Sequence, residues 1–194
     1  MKGHIYIASA FLSLKSKSCV IDNEVDNDPH VWNKPYTWGI CRPDLRERVT
    51  IGDYIFFVFG ANAKLPQMIF AYIKVDEIIS HCEAYFRKEL ILKRMTNNKF
   101  NGNIIVDYYG DYNKYDKRIH FDNFERIKKN YVVADMSYSK LLSIDLIKKK
   151  APDFVNILSE VFNKKGKRPI DFISRAGQEL DAQQMIKIIK WLKL

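Results

Sequence analysis

The strongest constraint on the fold is a pair of short apolar segments that lie close together in the sequence. Residues 54–59 and 68–73 are the longest uninterrupted apolar runs, and each has six residues. Six apolar residues match a buried β-strand and fall far short of the roughly 20 that a membrane-spanning helix needs. Gly52-Asp53 precedes the first run as a turn, and residues 60–66 connect the two runs. The pair therefore predicts two adjacent antiparallel strands joined by a hairpin loop.

The remaining periodicity predicts a small sheet followed by helices. The predicted strands span residues 4–12, 54–59, 68–79, 103–109 and 131–134. The predicted helices span residues 80–95, 152–163 and 181–193, where apolar residues recur at helical spacing. Ser80 with Glu83, and Asp181 with Gln184, match the capping box that begins a helix. We therefore expect an α+β fold: a curved or closed, mostly antiparallel β-barrel with peripheral helices and a helical C-terminus.

Composition favours a folded protein of the cytoplasm without a metal or a cofactor. A chain of 194 residues with 47% hydrophobic content is long and apolar enough to form a core. No apolar signal segment follows Met1. Cys19, Cys41 and Cys82 share no CxxC spacing, and the four histidines show no ligand spacing. Phosphate-binding and dinucleotide-binding glycine motifs are absent too, so we expect no metal, no cofactor and no membrane partner.

The net charge of +9 is concentrated late in the chain. Residues 1–79 carry nine basic and nine acidic side chains, whereas residues 140–194 carry twelve and six. A basic region beside a neutral one favours contact with a polyanion, of which nucleic acid is the commonest, although a solvated lysine-rich face would give the same composition. The predicted contacts with a nucleic-acid backbone are Lys148, Lys149, Lys150, Lys164, Lys165, Lys167 and Arg168.

A long aperiodic segment leads into the candidate binding site, which lies in the stretch of residues 29–60. Residues 13–37 show no strand or helix periodicity, and long connections of this kind are commonly functional. Large aromatic side chains and arginines then alternate ahead of the Gly-Asp turn, a pattern suited to stacking a base and holding its phosphate. An aromatic minicore that closes the end of a barrel would show the same pattern. The predicted ligand-binding residues are Tyr36, Trp38, Arg42 and Arg46, together with Ser9 and Phe11 at the end of the first strand.

The same segment resembles a known superfamily. The pattern R-x-R-V-x-x-G-D-Y-I-x-F, which begins at Arg46 and is followed by a second apolar strand, is similar to the signature of PUA-like β-barrels of the ASCH and EVE branches. More specifically, it resembles the nucleotide-modification-associated domains of phages and bacteria. The matching positions are Gly39, Cys41, Arg42, Pro43, Arg46 and Gly52-Asp53, with residues 131–138 as a later match. The resemblance implies a PUA-like barrel over residues 1–140, with a helix inserted in it and a basic helical extension over residues 141–194 packed on the same domain.

Three functions follow from these observations. The first is a module that binds nucleic acid or a modified nucleotide, in DNA modification or phage–host conflict. The second is an enzyme that modifies a nucleobase or nucleotide, with Cys41 as its nucleophile because neighbouring arginines lower the pKa of a thiol. The third is an interaction protein of phage–host conflict that binds another protein through its basic helices.

Overall fold

The structure is a computed structural model, and it describes residues 1–8, 28–60, 65–95, 102–113 and 123–193. Its strands are β1 (Gly3–Ala8), β2 (Thr37–Trp38), β3 (Tyr54–Phe59), β4 (Ile69–Ile79), β5 (Tyr131–Ala134), β6 (Lys140–Leu141) and β7 (Gln178–Leu180). Its α-helices are α1 (Pro43–Arg46), α2 (His81–Phe86), α3 (Phe124–Ile127), α4 (Ile144–Lys150), α5 (Phe154–Phe162) and α6 (Ala182–Lys193). Short 3-10 helices span Lys88–Lys93, Ala151–Asp153 and Pro169–Asp171.

The seven strands form one mostly antiparallel sheet. The order is β2-β5-β4-β3-β1-β7, and β6 pairs with β4 beside β5. Only β1 and β3 are parallel among the described pairs. The predicted α+β class is therefore confirmed, as is the antiparallel pairing of the two longest apolar runs. Across the described residues the sheet does not close into a barrel, because β2 and β7 lie at opposite ends of the strand path.

The core surrounds the two central strands. Every residue of β3 is buried, which explains why its sequence is apolar throughout rather than alternating. Residues 69–73 of β4 are buried in the same way, whereas its later part is mixed, with Asp76 exposed and the final residue Ile79 buried. Helices α5 and α6 pack their apolar sides against this core through Phe154, Leu158 and Ile188.

The helices differ from prediction mainly where one residue leaves the helical conformation. The helix predicted over 80–95 is α2 followed by a 3-10 helix, because Arg87 between them is extended at ψ 128°. Its guanidinium is bound to Glu77 and Glu83. The run at 103–109 makes isolated β-bridges rather than a strand. Helix α5 ends at Phe162 and is capped by Asn163 in a left-handed conformation, in agreement with the helix predicted over 152–163, whereas α1, α3 and α4 lie outside the predicted helices.

Candidate functional site

The loop between β2 and α1 is held by one buried carboxylate. Asp28 is almost fully buried and accepts hydrogen bonds from the backbone N–H groups of Gly39, Ile40 and Cys41. It also accepts from the side chain of Asn103 at 2.9 Å. Burial raises the pKa of the Asp28 carboxyl, while the hydrogen bonds from Gly39, Asn103 and Cys41 and the charge of Arg46 oppose that shift. One side chain therefore fixes the course of three consecutive residues.

Arg46 holds the same loop from its other side. Its guanidinium is buried and donates to the carbonyls of Ile40 and Cys41, and to those of Ile127 and Asn130 near α3. Burial lowers the pKa of Arg46 to about 10, and the charge of Asp28 partly offsets that cost. The predicted role of Arg46 in ligand binding remains a prediction. In the structure its guanidinium connects the loop to α3.

His81 and Gly39 complete the support of the loop. The Nε2–H of His81 donates to the carbonyl of Gly39 at 2.9 Å, and its Nδ1 accepts from the N–H of Ile105 at 3.2 Å, which fixes a neutral tautomer. Burial lowers the pKa of His81 to about 3. A Cβ on Gly39 would lie 2.6 Å from the ring of Tyr131 and 2.8 Å from the carbonyl oxygen of Asn103. Only glycine fits the backbone at this position.

Beside the loop lies a cluster of three aromatic rings. Trp38 stacks on Tyr6 of β1 at a centroid distance of 5.9 Å and meets the edge of Phe57 of β3 at 5.4 Å. The indole N–H of Trp38 is buried and has no hydrogen-bond partner among the described residues. Among those residues, only the ring nitrogens of His4, at the other end of β1, are orphaned in the same way. A buried donor without an acceptor costs about 1–3 kcal/mol, so this one marks a position suited to an acceptor.

The phenol of Tyr6 is a second polar group in this cluster. Burial raises its pKa well above the ordinary value, and the neighbouring Cys41 and Asp28 add to the rise. The hydroxyl therefore keeps its proton at neutral pH and can act as a donor. Tyr6 retains 5% of its surface, and Cys41 beside it is half-buried, so this side of the cluster reaches solvent.

Arginines surround the solvent side of the cluster. The guanidinium of Arg42 lies 5.8 Å from the ring of Tyr6, pairs with Asp44 and donates to the carbonyl of Arg175. Arg48 donates to the next carbonyl, that of Ala176. Arg42 and Arg48 thus both contact Asp44 and the backbone of residues 175–176, and we call Arg42, Arg48 and Arg175 the arginine rim. Guanidinium groups are well suited to pairing with a phosphate.

The backbone of Arg42 is itself unusual. Its φ is 54° and its ψ is 57°, in the left-handed region that residues other than glycine rarely occupy. Such a conformation costs of order 1–3 kcal/mol and is found most often at functional sites. The following Pro43 begins α1, so the strained residue forms the corner between the loop and the helix.

The structure brings together some of the predicted ligand-binding residues. Trp38 at the end of β2, Arg42 in the loop and Arg46 at the end of α1 lie on one continuous segment, with Trp38 and Arg46 fully buried and Arg42 half-buried. Tyr36 packs against the core and hydrogen-bonds through its backbone to Met136 and Ala134. Ser9 and Phe11 lie outside the described residues. Cys41 is on the same loop, but His81 cannot be its general base, because both ring nitrogens of His81 bond to backbone groups elsewhere.

The basic residues near the C-terminus form two groups at opposite ends of α5, which is about 14 Å long. Lys148 and Lys149 are exposed at the end of α4, while Lys150 donates to the carbonyl of Trp191. Exposed residues at the other end of α5 are Lys164, Lys165, Lys167 and Arg168. Two of these four residues are bound to Asp171. Lys164 donates to the backbone carbonyl of Asp171, and Arg168 forms an ion pair with the Asp171 carboxylate.

A second buried cation lies under the start of the loop. The ammonium of Lys93 is fully buried, 2.7 Å from Nδ1 of His30, and it also donates to the carbonyl of Asn33. Burial lowers its pKa to about 7. Trp32 packs on the ring of His30 at a centroid distance of 4.0 Å. Trp32 therefore packs against this group and not against Trp38.

Sequence reasoning missed Tyr6, Asp28, Arg48 and Arg175. Tyr6 lies in the segment predicted as a buried strand, where nothing marks it as part of a site. Asp28 belongs to a polar stretch typical of a solvated loop. Arg175 is 133 residues from Arg42, and only the tertiary fold brings the two together.

Neither a metal centre nor a membrane-spanning helix is found in the described part of the chain. Within those ranges, no group of three or more His, Cys, Asp or Glu side chains is placed to hold a metal ion. No helix there combines the length and the apolar character needed to cross a membrane. In comparisons with known proteins, no family model and no curated protein matches this chain.

Proposed function

We propose that the protein is a PUA-like module that binds a nucleotide unit of nucleic acid at the cluster of Tyr6, Trp38 and Phe57. A base entering beside Tyr6 would meet aromatic surface and two hydrogen-bond donors, the Tyr6 hydroxyl and the Trp38 indole. Carbonyl oxygens and ring nitrogens on base edges are suitable acceptors for such donors. The ligand class is therefore a planar ring that carries acceptors and is attached to an anionic group.

The observation that carries this proposal is the unpaired indole N–H of Trp38. A buried tryptophan ordinarily finds an acceptor for its N–H, and even the half-buried Trp191 has one in the carboxylate of Asp153. The arginine rim supports the same reading, because it offers cationic groups for a phosphate near the Tyr6 ring. The resemblance of the loop to nucleotide-modification-associated domains points to the same ligand class.

The first experiment removes the indole N–H and keeps an aromatic ring. Trp38→Phe is expected to weaken the binding of a short single-stranded oligonucleotide about tenfold, the value of one hydrogen bond. Binding is measured by fluorescence anisotropy of the labelled oligonucleotide, with folding checked by circular dichroism. Trp191→Phe is the matched control, because it removes an indole N–H that already has a partner. Equal affinity of the parent and both variants would mean that Trp38 has only a structural role in the core, and it would refute the proposed binding site.

A second pair of variants separates binding from catalysis. Arg48→Gln with Arg175→Gln is expected to reduce the slope of log affinity against log salt by about 0.7 for each phosphate that the variant no longer neutralises. Cys41→Ala is expected to leave affinity unchanged. Loss of a nucleotide-modifying activity in Cys41→Ala, with binding retained, would favour the enzyme over the binding module.

A further inference from the structure

A patch of exposed aromatic side chains lies at the end of α2 and the turn at residues 107–110. Phe86, Tyr108 and Tyr109 are exposed to 60%, 62% and 85%. Their rings contact one another edge to face, with centroids 5.7 Å apart for Phe86 and Tyr108 and 5.3 Å apart for Tyr108 and Tyr109. We call these three residues the aromatic patch. It shares no residue with the proposed nucleotide site.

Basic and acidic side chains balance among the described residues of the two segments that form the patch. In the described ranges 80–95 and 102–113, four basic side chains are balanced by four acidic ones. Arg87 is paired with Glu77 and Glu83, and Arg94 donates to the carbonyl of Tyr85 and lies 4.2 Å from its ring. A surface without net positive charge does not attract a polyanion or an anionic membrane electrostatically. The aromatic patch therefore suits a protein surface of matching apolar character.

The exposed area agrees with a modest protein–protein contact. A large aromatic side chain buries about 200 Å², so the three rings leave roughly 400 Å² uncovered. Monomeric proteins rarely expose larger contiguous apolar patches, and those of this size are often functional. Ile91 and Leu92, on the 3-10 helix that follows α2, are exposed to 54% and 65%. Two copies that buried the three rings alone would remove roughly 800 Å² from solvent. A contact that also covered Ile91 and Leu92 would reach the roughly 1,200 Å² at which specific dimers begin.

We propose that the aromatic patch is the interface of a symmetric homodimer. Rings held edge to face present both ring faces and ring edges, so a second copy rotated about a twofold axis offers the complementary surface. Cys82 borders this interface. It is exposed, and its Sγ lies 3.3 Å from the position that a Cβ on Gly110 would occupy, next to Tyr109 in the chain.

The test is the association state of the full chain in solution. Sedimentation equilibrium over a series from micromolar to near-millimolar concentration is expected to show a monomer–dimer equilibrium. The combined variant Phe86→Ser, Tyr108→Ser and Tyr109→Ser is expected to weaken it about 100-fold or more, since buried aromatic residues dominate interface energetics. Tyr138→Ser is the control, because Tyr138 is exposed to 54% but lies outside the patch.

A cross-linking measurement covers the case in which the triple variant fails to fold. A short bis-maleimide is expected to link two parent chains through Cys82, so the covalent dimer should disappear in Cys82→Ser and persist in Cys41→Ser. A parent chain that stays monomeric throughout the series overturns the proposal and leaves the patch to a different protein. A dimer that survives the triple variant unchanged, or that cross-links without Cys82, overturns it as well.

Discussion

At the scale of single residues, the Asp28 carboxylate binds consecutive backbone N–H groups of a loop, as a bound anion does in other proteins. It fills a row of three backbone N–H groups that would otherwise bind an anion. The buried charge of Arg46 lies in the same region and contributes to the electrostatics of the carboxylate. The loop is therefore arranged before any ligand arrives, which reduces the entropy lost on binding.

The first prediction at this scale concerns that carboxylate. Asp28→Asn is expected to lower the free energy of unfolding by about 3–5 kcal/mol, because it leaves Arg46 buried without its counter-charge and the loop with one acceptor atom fewer. Urea denaturation followed by circular dichroism measures the change. Asp145→Asn, at an exposed position in the first turn of α4, is the control and should change stability by less than about 0.5 kcal/mol. A change below about 1 kcal/mol for Asp28→Asn would mean that the loop is held by other contacts.

The second prediction concerns the pH dependence of stability. His81 has a pKa of about 3 in the folded protein and about 6.5 in the unfolded chain. Between these values the unfolded chain binds more protons than the folded protein, so the free energy of unfolding falls as the pH falls. The stability that the neutral His81 ring contributes is therefore complete above about pH 6.5 and is lost as the pH falls toward 3. The limiting slope is about 1.4 kcal/mol per pH unit. In a series of urea denaturations, His81→Gln should flatten the curve in this window, and an unchanged curve would contradict the buried neutral ring.

At the scale of elements, helix starts were predictable because capping is a local interaction. The box of Asp181 with Gln184 forms with both reciprocal hydrogen bonds, at 3.0 and 2.9 Å. Ser80 also caps its helix by accepting from the N–H of Glu83. The side chain of Glu83, however, binds Arg87 instead of returning to the cap. Where α2 ends depends on that ion pair and on Glu77 of β4, which helical spacing does not encode.

The prediction at this scale compares two glycines in the segment between β2 and β3. Gly39→Ala is expected to cost about 2–3 kcal/mol or more, because the added methyl group would overlap the buried ring of Tyr131. Gly52→Ala meets no atom within 4 Å and is expected to cost about 1–2 kcal/mol, the strain of its φ of +89°. Thermal unfolding of both variants tests the order, and a larger loss for Gly52→Ala would show that the loop moves away from Tyr131.

At the scale of the whole molecule, the sequence predicted where the strands lie better than it predicted which strands pair with one another. Strands β3 and β4 were predictable because both are apolar and lie next to each other in the chain. The parallel pairing of β1 with β3, and the position of β7 beside β1, could not be predicted, because they join segments far apart in sequence. The same holds for the candidate site. Its loop was predicted from local aromatic and arginine content, whereas Tyr6 on β1 and Arg175 just before β7 are brought to it only by tertiary structure.

The prediction at this scale concerns the basic group around the end of α5. Neutralising Lys164, Lys165 and Lys167 together with glutamine is expected to lower the salt slope of oligonucleotide binding by about 2, at roughly 0.7 per phosphate on single strands. Anisotropy titrations at several salt concentrations give the slope. Lys148→Gln with Lys149→Gln tests the group at the other end of α5 in the same assay. An unchanged slope in both variants would make these lysines a solvated surface.

The pairing of β1 with β7 also has a consequence for how the protein is made. Gly3 lies opposite Leu180 in that register, so this edge of the first strand stays uncovered until the segment around Leu180 has been synthesised. At about 5–20 residues per second, a ribosome leaves this edge open for roughly 10–35 s. An uncovered apolar strand edge is a template for pairing with other chains. Slow translation of this messenger should therefore raise the fraction of nascent protein that aggregates, and chaperones that shield strand edges should lower it.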